Sequence, residues 1–449
     1  MTAVLTELRA ADAASCGPRS ISETSRRAPT IGVVYPSGWG NLGDEAILQA
    51  TFATLRAQWP NARLHAFTLN PERTRANHGV AADYLTGISR PMFLSARDDG
   101  PFAVRAARGL ARRVRRVPIA NSIMKTVADL TASTVFETMS MRTAWSFLKD
   151  ADLLLAAGGG QLDAAWGGAM GQPYALARWA WLARRAGVPF AFLSVGYGSA
   201  RGKLSRWLLR YAIRQSKYCS VRDAGSRSLT TQLGISKDLP IIPDLAFGLK
   251  PAPPFPRKRP GYDVAISPMV YLRPGNWPTA DASAYERFVD LWAAIVVDRV
   301  VRGDRVHLFV TDPADMKAVV DVRGKLDART RDKCSINEHR TPDALLTFFR
   351  QMDIVVSSRL HGVLLAINTG RPVLAISHER KVRAVMGDVG LTAYCTDLPT
   401  VTAEQVCIML RELTKNLAPC ERKLAEYVSW ARAAIRQQDE MLPHLMRRR

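Results

Sequence analysis

Short apolar runs alternate with helix-like stretches along most of this chain of 449 residues. In the first half, the runs that predict buried strands are residues 31–36, 63–69, 152–157, 189–196 and 217–222. A second series follows at 263–267, 305–311, 353–358 and 372–377. This alternation is typical of parallel sheets whose strands are joined by crossover helices. The sequence therefore predicts the α/β class.

The two series, in a chain too long for one ordinary core, predict two Rossmann-like, doubly wound domains. A linker rich in proline and basic residues separates them at 251–261. The predicted units are a disordered tail at 1–29, an N-terminal domain at 30–245 with a helical insertion at about 88–148, a C-terminal domain at 246–400 and a C-terminal helical segment at 401–449. Because ligands of open α/β sheets bind at the carboxyl ends of the strands, we expect a site in the cleft between the domains.

The charge balance points to an acidic partner. Lysine and arginine total 62 against 40 acids, a net charge of +22. Nucleic acid, anionic lipid or a phosphorylated substrate would fit this charge, and so would a genome rich in arginine codons. Residues 101–128 contain no acid, and on a helical wheel their arginines gather on one side. That segment predicts either peripheral contact with an anionic membrane or an ordinary surface helix.

Several classes of protein are not expected. No apolar run approaches the roughly 20 residues that span a bilayer. The first residues lack the apolar segment of a signal peptide. The six cysteines are scattered without metal-ligand or disulfide spacing, so we expect a cytoplasmic protein that binds no metal. Contact with the inner face of the plasma membrane is a further possibility, because of the basic segment 101–128.

Two glycine-rich turns follow predicted strands. In "GWGNLGDEAI" (38–47), acids at the start of a helix would repel phosphate, so Asn41 and Asp44 suit a neutral hydroxylated ligand better. The alternative is a purely structural turn in which Asn41 turns the chain and Asp44 caps the helix. The second turn, 158–160, includes Gly159 and Gly160 and predicts a close approach of the backbone to a ligand or to another loop.

Cations follow the ends of other predicted strands. The motifs "SVGYGSARG" (194–202) and "CSVRDAGS" (219–226) supply Arg201 and Arg222, either as anion ligands or as surface cations. Asp244, in "PDLAF" (243–247), is interpreted as a structural acid at the hinge. The motif "SSRLHG" (357–362) places Arg359 and His361 at a strand-to-helix turn, where a histidine is a candidate general acid or base.

Together, "GWGNLGDEAI", "AAGGGQL", "SVGYG", "SVRDAGS", "PDLAF" and "SSRLHG" followed by "ERK" resemble the polysaccharide pyruvyl transferase family, in the family's order from about residue 31 to 390. The resemblance implies a fold like that of the B-type glycosyltransferases, with the last helix folding back. It implies transfer of pyruvate from phosphoenolpyruvate to two hydroxyls of a sugar, which forms a cyclic ketal. The partners would be phosphoenolpyruvate and a saccharide or lipid-linked oligosaccharide, without a cofactor.

The resemblance also implies roles for particular residues. His361 resembles the catalytic histidine, with Arg359 and Lys381 as binding residues beside it. Arg201 resembles an arginine that holds phosphoenolpyruvate, and Arg222 is a reserve candidate. Asn41 and Asp44 resemble residues on the acceptor side, in the N-terminal domain, and phosphoenolpyruvate would bind on the C-terminal side.

The chemistry agrees with these roles. Phosphoenolpyruvate is small and anionic, so its carboxylate and phosphate need cations. An imidazolium can protonate the enol carbon, one sugar hydroxyl then attacks, phosphate leaves and a second hydroxyl closes the ketal, with Asp44 as a base. Two alternatives stay open: a B-type glycosyltransferase that uses a nucleotide sugar, with Glu379 as the ribose ligand, and a non-catalytic basic protein. No nucleic-acid-binding module is recognisable, so nucleic acid is not an expected partner. The oligomeric state is left open.

Overall fold

The computed structural model describes residues 27–88, 118–165, 167–235, 238–256, 260–277 and 279–447. Its strands form two parallel sheets of six strands each. The N-terminal sheet has the order β3-β2-β1-β4-β5-β6. Its strands are β1 (Thr30–Val34), β2 (Arg63–Thr68), β3 (Ala81–Tyr84), β4 (Leu153–Ala157), β5 (Phe190–Val195) and β6 (Tyr218–Val221). This is the order of a doubly wound fold, in which the carboxyl ends of β1 and β4 flank the crevice where the chain reverses direction.

The C-terminal sheet has the order β12-β11-β10-β7-β8-β9. Its strands are β7 (Asp263–Ser267), β8 (Arg305–Phe309), β9 (Cys334–Asn337), β10 (Ile354–Ser357), β11 (Val373–Ile376) and β12 (Cys395–Thr396). Two doubly wound units in succession confirm the predicted α/β fold.

Helices cover both faces of each sheet. Those of the first unit are α1 (Leu42–Gln58), α2 (Pro71–His78), α3 (Pro118–Asp150), α4 (Gln172–Ala186), α5 (Lys203–Gln215) and α6 (Ala224–Gln232). Those that follow are α7 (Ala282–Val301), α8 (Met316–Gly324), α9 (Ala328–Asp332), α10 (Pro342–Gln351), α11 (Leu360–Asn368), α12 (Arg380–Asp388), α13 (Ala403–Lys415) and α14 (Leu417–Leu445). None of these described helices is both long and apolar enough to cross a membrane.

Three strands were missing from the sequence-based prediction: β3, β9 and β12. Each is an edge strand of its sheet. A strand buried on both faces shows a continuous apolar run, whereas an edge strand does not need one. The sequences "AADY", "CSIN" and "CT" accordingly lack such a run.

One apolar core joins the two domains. The inner side of α1 packs on the first sheet, and the turn Leu245–Gly248 packs against α1, α11 and α14. Buried residues such as Ile47, Phe247 and Leu364 belong to this continuous core. A second core lies under α3, α4 and α5, on the opposite face of the first sheet. The two sheets are therefore fixed against each other near the strand ends that carry the sequence motifs.

The C-terminal segment returns to the N-terminal domain. The sequence predicted a C-terminal helical segment at 401–449, and the structure divides it into α13, which ends before Asn416, and α14, which continues to Leu445. Gln58 donates a hydrogen bond to the carbonyl oxygen of Asp439 (2.6 Å), and the Arg447 amide donates to that of Asp152 (2.9 Å). These contacts confirm that the last helix folds back.

Some predictions fall outside the described residues. They concern the tail, of which only 27–29 are described, and the basic segment 101–128, of which only the backbone of 118–128 is described, as the start of α3. Residues 257–259 of the predicted linker also lie outside.

Candidate active site

The two glycine-bearing strand ends of the first sheet face the strand ends of the second. The backbone amide of Leu42, at the start of α1, donates a hydrogen bond to the carbonyl oxygen of Thr311 after β8 (2.7 Å). Beside this contact, a β-carbon added to Gly43 would lie 1.9 Å from Cγ and Nδ1 of His361. The glycine-rich turn of one domain is therefore packed against the predicted catalytic histidine of the other.

His361 occupies the first turn of α11, directly after the "SSR" end of β10. Its Nε2 lies 3.9 Å from Oδ2 of Asp244. The same carboxylate oxygen accepts a hydrogen bond from Nη1 of Arg222 (3.0 Å), and both of these partners are buried. A buried row of arginine, carboxylate and imidazole thus connects the two domains.

Asp244 has more than the hinge role that the sequence indicated. Its Oδ1 accepts a hydrogen bond from the amide of Ala246 (3.0 Å) and caps the turn Leu245–Gly248, as a structural acid would. Its Oδ2 faces Arg222 and His361. Arg222 is buried as well, and does not form the exposed turn that the sequence left open as an alternative.

The surroundings of His361 favour the neutral imidazole. Burial lowers the pKa of His361 to about 4; the nearby Asp244 carboxylate acts to raise the pKa, and the charges of Arg222 and Lys381 act to lower it. The Nε2 atom is buried and has no hydrogen-bond partner among the described residues. It is therefore available to a ligand, and an anionic ligand would favour its protonation.

On the N-terminal side, Asp44 forms a pair with Tyr35, which follows β1. The Tyr35 hydroxyl donates a hydrogen bond to Oδ1 of Asp44 (2.8 Å). Burial raises the pKa of Asp44 to about 7, against the lowering effect of that hydrogen bond, and the negative charge of Glu45 raises it further. Asp44 can therefore exchange a proton near neutral pH, as a general base must.

Gly159 and Gly160, in the second glycine-rich turn, have different surroundings. Gly159 has φ +67°, and a β-carbon there would lie 2.3 Å from the Tyr35 hydroxyl, so this glycine makes room for the tyrosine. Apart from its chain neighbours, no described residue lies within 4 Å of the position that a β-carbon on Gly160 would take. Gly160 is exposed, and its backbone is open to a ligand.

Asn41, and not Asp44, caps helix α1. The Asn41 side chain accepts a hydrogen bond from the amide of Gly43 (2.9 Å). Glu45, one residue beyond Asp44, is directed into its own domain, where its carboxylate accepts hydrogen bonds from Ser37, Asn77 and His78. The cap leaves the Asp44 carboxylate to Tyr35 and the cleft.

Lys381 lies on the C-terminal side, in the first turn of α12. Its Nζ is 3.2 Å from Oε2 of Glu379, and its side chain is 44% exposed. Burial acts to raise the pKa of Glu379, but the charges of Lys381 and His378 hold that pKa below its ordinary value. Both Lys381 and Glu379 influence the protonation of His361, so the predicted lysine lies in the same electrostatic group as the histidine.

Arg359 is already engaged by a carboxylate. Its Nε and Nη2 donate to the two oxygens of Asp315 at 2.6 and 2.8 Å, and Asp315 is fully buried. Burial acts to lower the pKa of Arg359, yet these bonds raise it above its ordinary value. Two of the guanidinium nitrogens of Arg359 are therefore engaged by Asp315, and this ion pair orients the loop between β10 and α11.

Arg201 stands apart from this group. It lies exposed in the loop before α5, and among the described residues no hydrogen bond or ion pair involving it is found. The structure brings His361, Arg222, Lys381 and Asp44 into one neighbourhood but records no contact between Arg201 and that group.

Buried polar atoms without partners gather at the strand ends of the C-terminal sheet. Among the described residues they are Ser267 Oγ at the end of β7, Ser358 Oγ after β10, Nε2 of His361 and Nδ1 of His378 after β11. Buried polar groups ordinarily have hydrogen-bond partners, so such a set indicates where a polar ligand would bind. Sequence analysis missed the two serines as ligands, along with Tyr35, although each stands at the end of a strand that it had predicted.

The described residues include no group of three His, Cys, Asp or Glu side chains that could hold a metal ion. The family model of the polysaccharide pyruvyl transferases matches residues 41–380, which include Asp44, Arg222, His361 and nearly all the strand ends above. The chain belongs to this family. No curated protein matches the sequence.

Solved structures show the same fold in sugar-nucleotide enzymes. The UDP-GlcNAc 2-epimerase from Neisseria meningitidis, bound to UDP-GlcNAc, is 10% identical with a TM-score of 0.52, covering 91% of this family member and 98% of the epimerase. The apo UGT2 of Phytolacca americana is 12% identical with a TM-score of 0.52, covering 93% and 100%. The UDP-GlcNAc 2-epimerase from Methanocaldococcus jannaschii is 9% identical with a TM-score of 0.51, covering 85% and 92%. At these identities the similarity establishes the two-domain B-type glycosyltransferase fold, and nothing about substrate.

Proposed function

We propose that this protein transfers the pyruvyl group of phosphoenolpyruvate to two hydroxyls of one sugar, in a polysaccharide or its lipid-linked precursor, and so forms a cyclic ketal. The observation that carries the proposal is the buried Nε2 of His361. It lacks a hydrogen-bond partner among the described residues and lies 3.9 Å from Oδ2 of Asp244, and the charges of Arg222 and Lys381 act on the same imidazole.

Phosphoenolpyruvate would bind on the C-terminal side. The hydroxyls of Ser267 and Ser358 can donate to phosphate or carboxylate oxygens, and Lys381 supplies a positive charge that is only partly balanced by Glu379. Arg222 contributes positive potential, although its charge is shared with Asp244, to which Nη1 donates a hydrogen bond, and with Asp223, whose carboxylate lies 3.6 Å from Nε. Arg201 is exposed and has no ion pair among the described residues, so it is a further candidate for the donor site.

His361 would act as the proton donor to the enol carbon. Its pKa of about 4 makes it neutral at pH 7 before substrate binds. Two anionic groups of phosphoenolpyruvate beside the ring would raise that pKa, and the Asp244 carboxylate would stabilise the imidazolium that forms. Protonation of the terminal carbon leaves an oxocarbenium ion, which a sugar hydroxyl can attack. The leaving phosphate takes the bonding electron pair of its C–O bond, and the second hydroxyl attacks the resulting cation, closes the ring and gives its proton to the neutral imidazole of His361.

Asp44 would accept a proton from an attacking sugar hydroxyl. Its pKa of about 7 suits this exchange, and the Tyr35 hydroxyl holds one of its oxygens in place. The open backbone at Gly160 gives a saccharide room to approach on the same side. This places donor and acceptor on opposite walls of the cleft, with His361 and Asp44 between them.

The direct test is release of inorganic phosphate from phosphoenolpyruvate in the presence of a panel of free and lipid-linked oligosaccharides. The proposal predicts phosphate release that depends on a saccharide, together with a product heavier than the acceptor by a pyruvyl ketal in mass spectrometry. Phosphate release with no change in the saccharide, or no release with any member of the panel, would contradict it.

A nucleotide-sugar glycosyltransferase is the second candidate, because the fold is shared with enzymes of that kind and Glu379, an acid late in the C-terminal domain, would serve as the ribose ligand. Calorimetry with phosphoenolpyruvate and with UDP-sugars separates the two. The ion pair between Glu379 and Lys381 favours the first, since a ribose ligand would have to compete with the lysine for that carboxylate.

A further inference from the structure

Helix α5 exposes apolar side chains that ordinary surface helices bury. Trp207 is 60% exposed and Leu204 is 54% exposed. The Trp207 ring stacks on Tyr211 with a centroid distance of 5.9 Å, so the three side chains form one stripe along the outer face. The opposite face, with Ser205, Leu209, Ala212 and Ile213, packs on the domain and accounts for the stability of the helix.

The stripe continues onto a neighbouring turn. Residues Gly168–Met170 contact α5, and Met170 is 52% exposed. The C-terminal end of α4 is tied to that of α5 by a hydrogen bond from Arg184 to Gln215 (2.7 Å). We define the Trp207 surface as Met170, Lys203, Leu204, Trp207 and Tyr211.

Cations border this apolar stripe on α5. On α5 the residues beside the stripe are Lys203, Arg206, Arg210 and Arg214. The sequence from 164 to 222 contains no Asp or Glu. The Arg206 and Arg214 side chains donate to the carbonyl oxygens of Gln232, the last residue of α6, and of Gly234, so these hydrogen bonds go to neutral groups and not to carboxylates. An apolar stripe with a basic border fits the surface of an anionic bilayer, in which negatively charged headgroups cover apolar acyl chains.

We propose that the Trp207 surface docks the protein on an anionic lipid bilayer, with Trp207 and Leu204 inserted at the level of the headgroups. Tryptophan favours this interfacial region, and each lysine or arginine near an anionic membrane adds to the attraction. A second copy of this chain is a poorer occupant, because both copies carry a net charge of +22. The acid-free stretch 101–128 is a poor occupant for the same reason.

The Trp207 surface lies near the cleft, so a membrane bound there would be close to the candidate active site. Helix α5 begins directly after the loop that follows β5, and in that loop the Gly196 amide donates to the carbonyl oxygen of Gly159 (2.6 Å). The N-terminal end of α5 therefore lies on the cleft side of the sheet. A bilayer held there would bring membrane-bound molecules to the mouth of the cleft.

The test is flotation of the full chain with vesicles of phosphatidylglycerol and with vesicles of phosphatidylcholine alone. We expect binding to the anionic vesicles that weakens with added salt, and little binding to the neutral ones. The affinity of the double variant Leu204→Ser, Trp207→Ser for anionic vesicles should fall at least about tenfold, since two inserted side chains are lost. Ile408→Ser, on exposed α13 of the other domain, is the matched control and should bind as the unmodified chain does.

Charge is tested separately with Lys203→Glu against Arg329→Glu, an exposed position on α9. Only the first should weaken binding. Unchanged vesicle binding by the double variant, or equal binding to neutral and anionic vesicles, would overturn the proposal. So would a dimer of the unmodified chain, measured by light scattering, that the double substitution dissociates without any effect on vesicle binding. Circular dichroism confirms that each variant is folded.

Discussion

Gly43 and His361 belong to different domains, yet a β-carbon on Gly43 would stand 1.9 Å from the imidazole. Gly43 lies in the first turn of α1 without a positive φ, so its backbone conformation is one that alanine also adopts. The requirement for glycine at this position therefore comes from the histidine opposite and not from the turn. The third glycine of "GWGNLGDE" is where the two domains meet.

The first prediction follows from this contact. Gly43→Ala should lower turnover by about 10²-fold or more, because the methyl group must displace the general acid or separate the domains. Gly324→Ala is the control, since Gly324 lies exposed at the end of α8 and, apart from its neighbours in the helix, no described residue lies within 4 Å of the added carbon. Turnover of Gly324→Ala should match that of the unmodified chain. A Gly43→Ala enzyme with normal turnover would show that the observed contact is not the active arrangement.

His361→Ala should lower saccharide-dependent phosphate release by about 10²-fold or more, the usual scale for a general acid. His444, exposed near the end of α14, provides the matched control, and His444→Ala should leave the rate unchanged. If His361→Ala keeps turnover within about twofold of the unmodified chain, this histidine is not the proton donor.

Binding of phosphoenolpyruvate should be accompanied by proton uptake between pH 6 and 7.5. The pKa of His361 is about 4 in the free protein, so a ligand that raises it draws a proton from the solution. Calorimetry in buffers of different ionisation enthalpy measures this uptake. The His361→Gln variant should bind with less proton uptake. Identical uptake in both proteins would assign the titration to another group.

Lys381→Met should weaken phosphoenolpyruvate binding by roughly 1.5–3 kcal/mol, the scale of one charge-assisted contact. The lysine is 44% exposed, so the lower end of that range is expected. Arg201→Met tests the resemblance-based role of an arginine that the structure leaves exposed. A loss for Lys381→Met alone would leave Arg201 outside the donor site, and unchanged affinity in both variants would move the donor site elsewhere.

Sequence reasoning was most successful where burial dictates the pattern. Every central strand was found, since a continuous apolar run is needed where both faces are covered, whereas of the four edge strands only β6 was predicted and β3, β9 and β12 were missed. For the same reason it located the strand ends that carry the site. It could not decide which glycines are required by a neighbouring side chain and which leave room for a ligand. That depends on side chains far away in sequence, such as Tyr35 beside Gly159.

The sequence also did not reveal which carboxylates pair with the arginines of the site. Arg359 and Arg222 were both predicted to bind substrate, but the structure gives each of them a buried carboxylate, Asp315 and Asp244. Asp315 lies 44 residues from Arg359, so no local pattern links the two. Asp244 was visible in its motif, but its second oxygen acquires a role only when the domains bring His361 to it.

The last prediction concerns Asp44 and the pH dependence of stability. Burial raises the pKa of Asp44 from 3.8 to about 7, so the folded state binds a proton more tightly than the unfolded state does. The resulting stabilisation is complete below pH 3.8 and is lost as the pH rises to about 7. In Asp44→Asn the neutral amide removes this loss. The melting temperature of the variant relative to the unmodified chain should therefore be higher at pH 8 than at pH 5.

The same variant should transfer pyruvate to saccharide more slowly while its affinity for phosphoenolpyruvate stays nearly constant, because an amide cannot accept the hydroxyl proton. Asp343→Asn, an exposed carboxylate that accepts hydrogen bonds from Gln49, is the control and should change neither the pH profile nor transfer. Loss of phosphoenolpyruvate binding in folded Asp44→Asn would place Asp44 on the donor side instead. An unchanged transfer rate, with only the melting profile altered, would leave Asp44 with a structural role beside Tyr35.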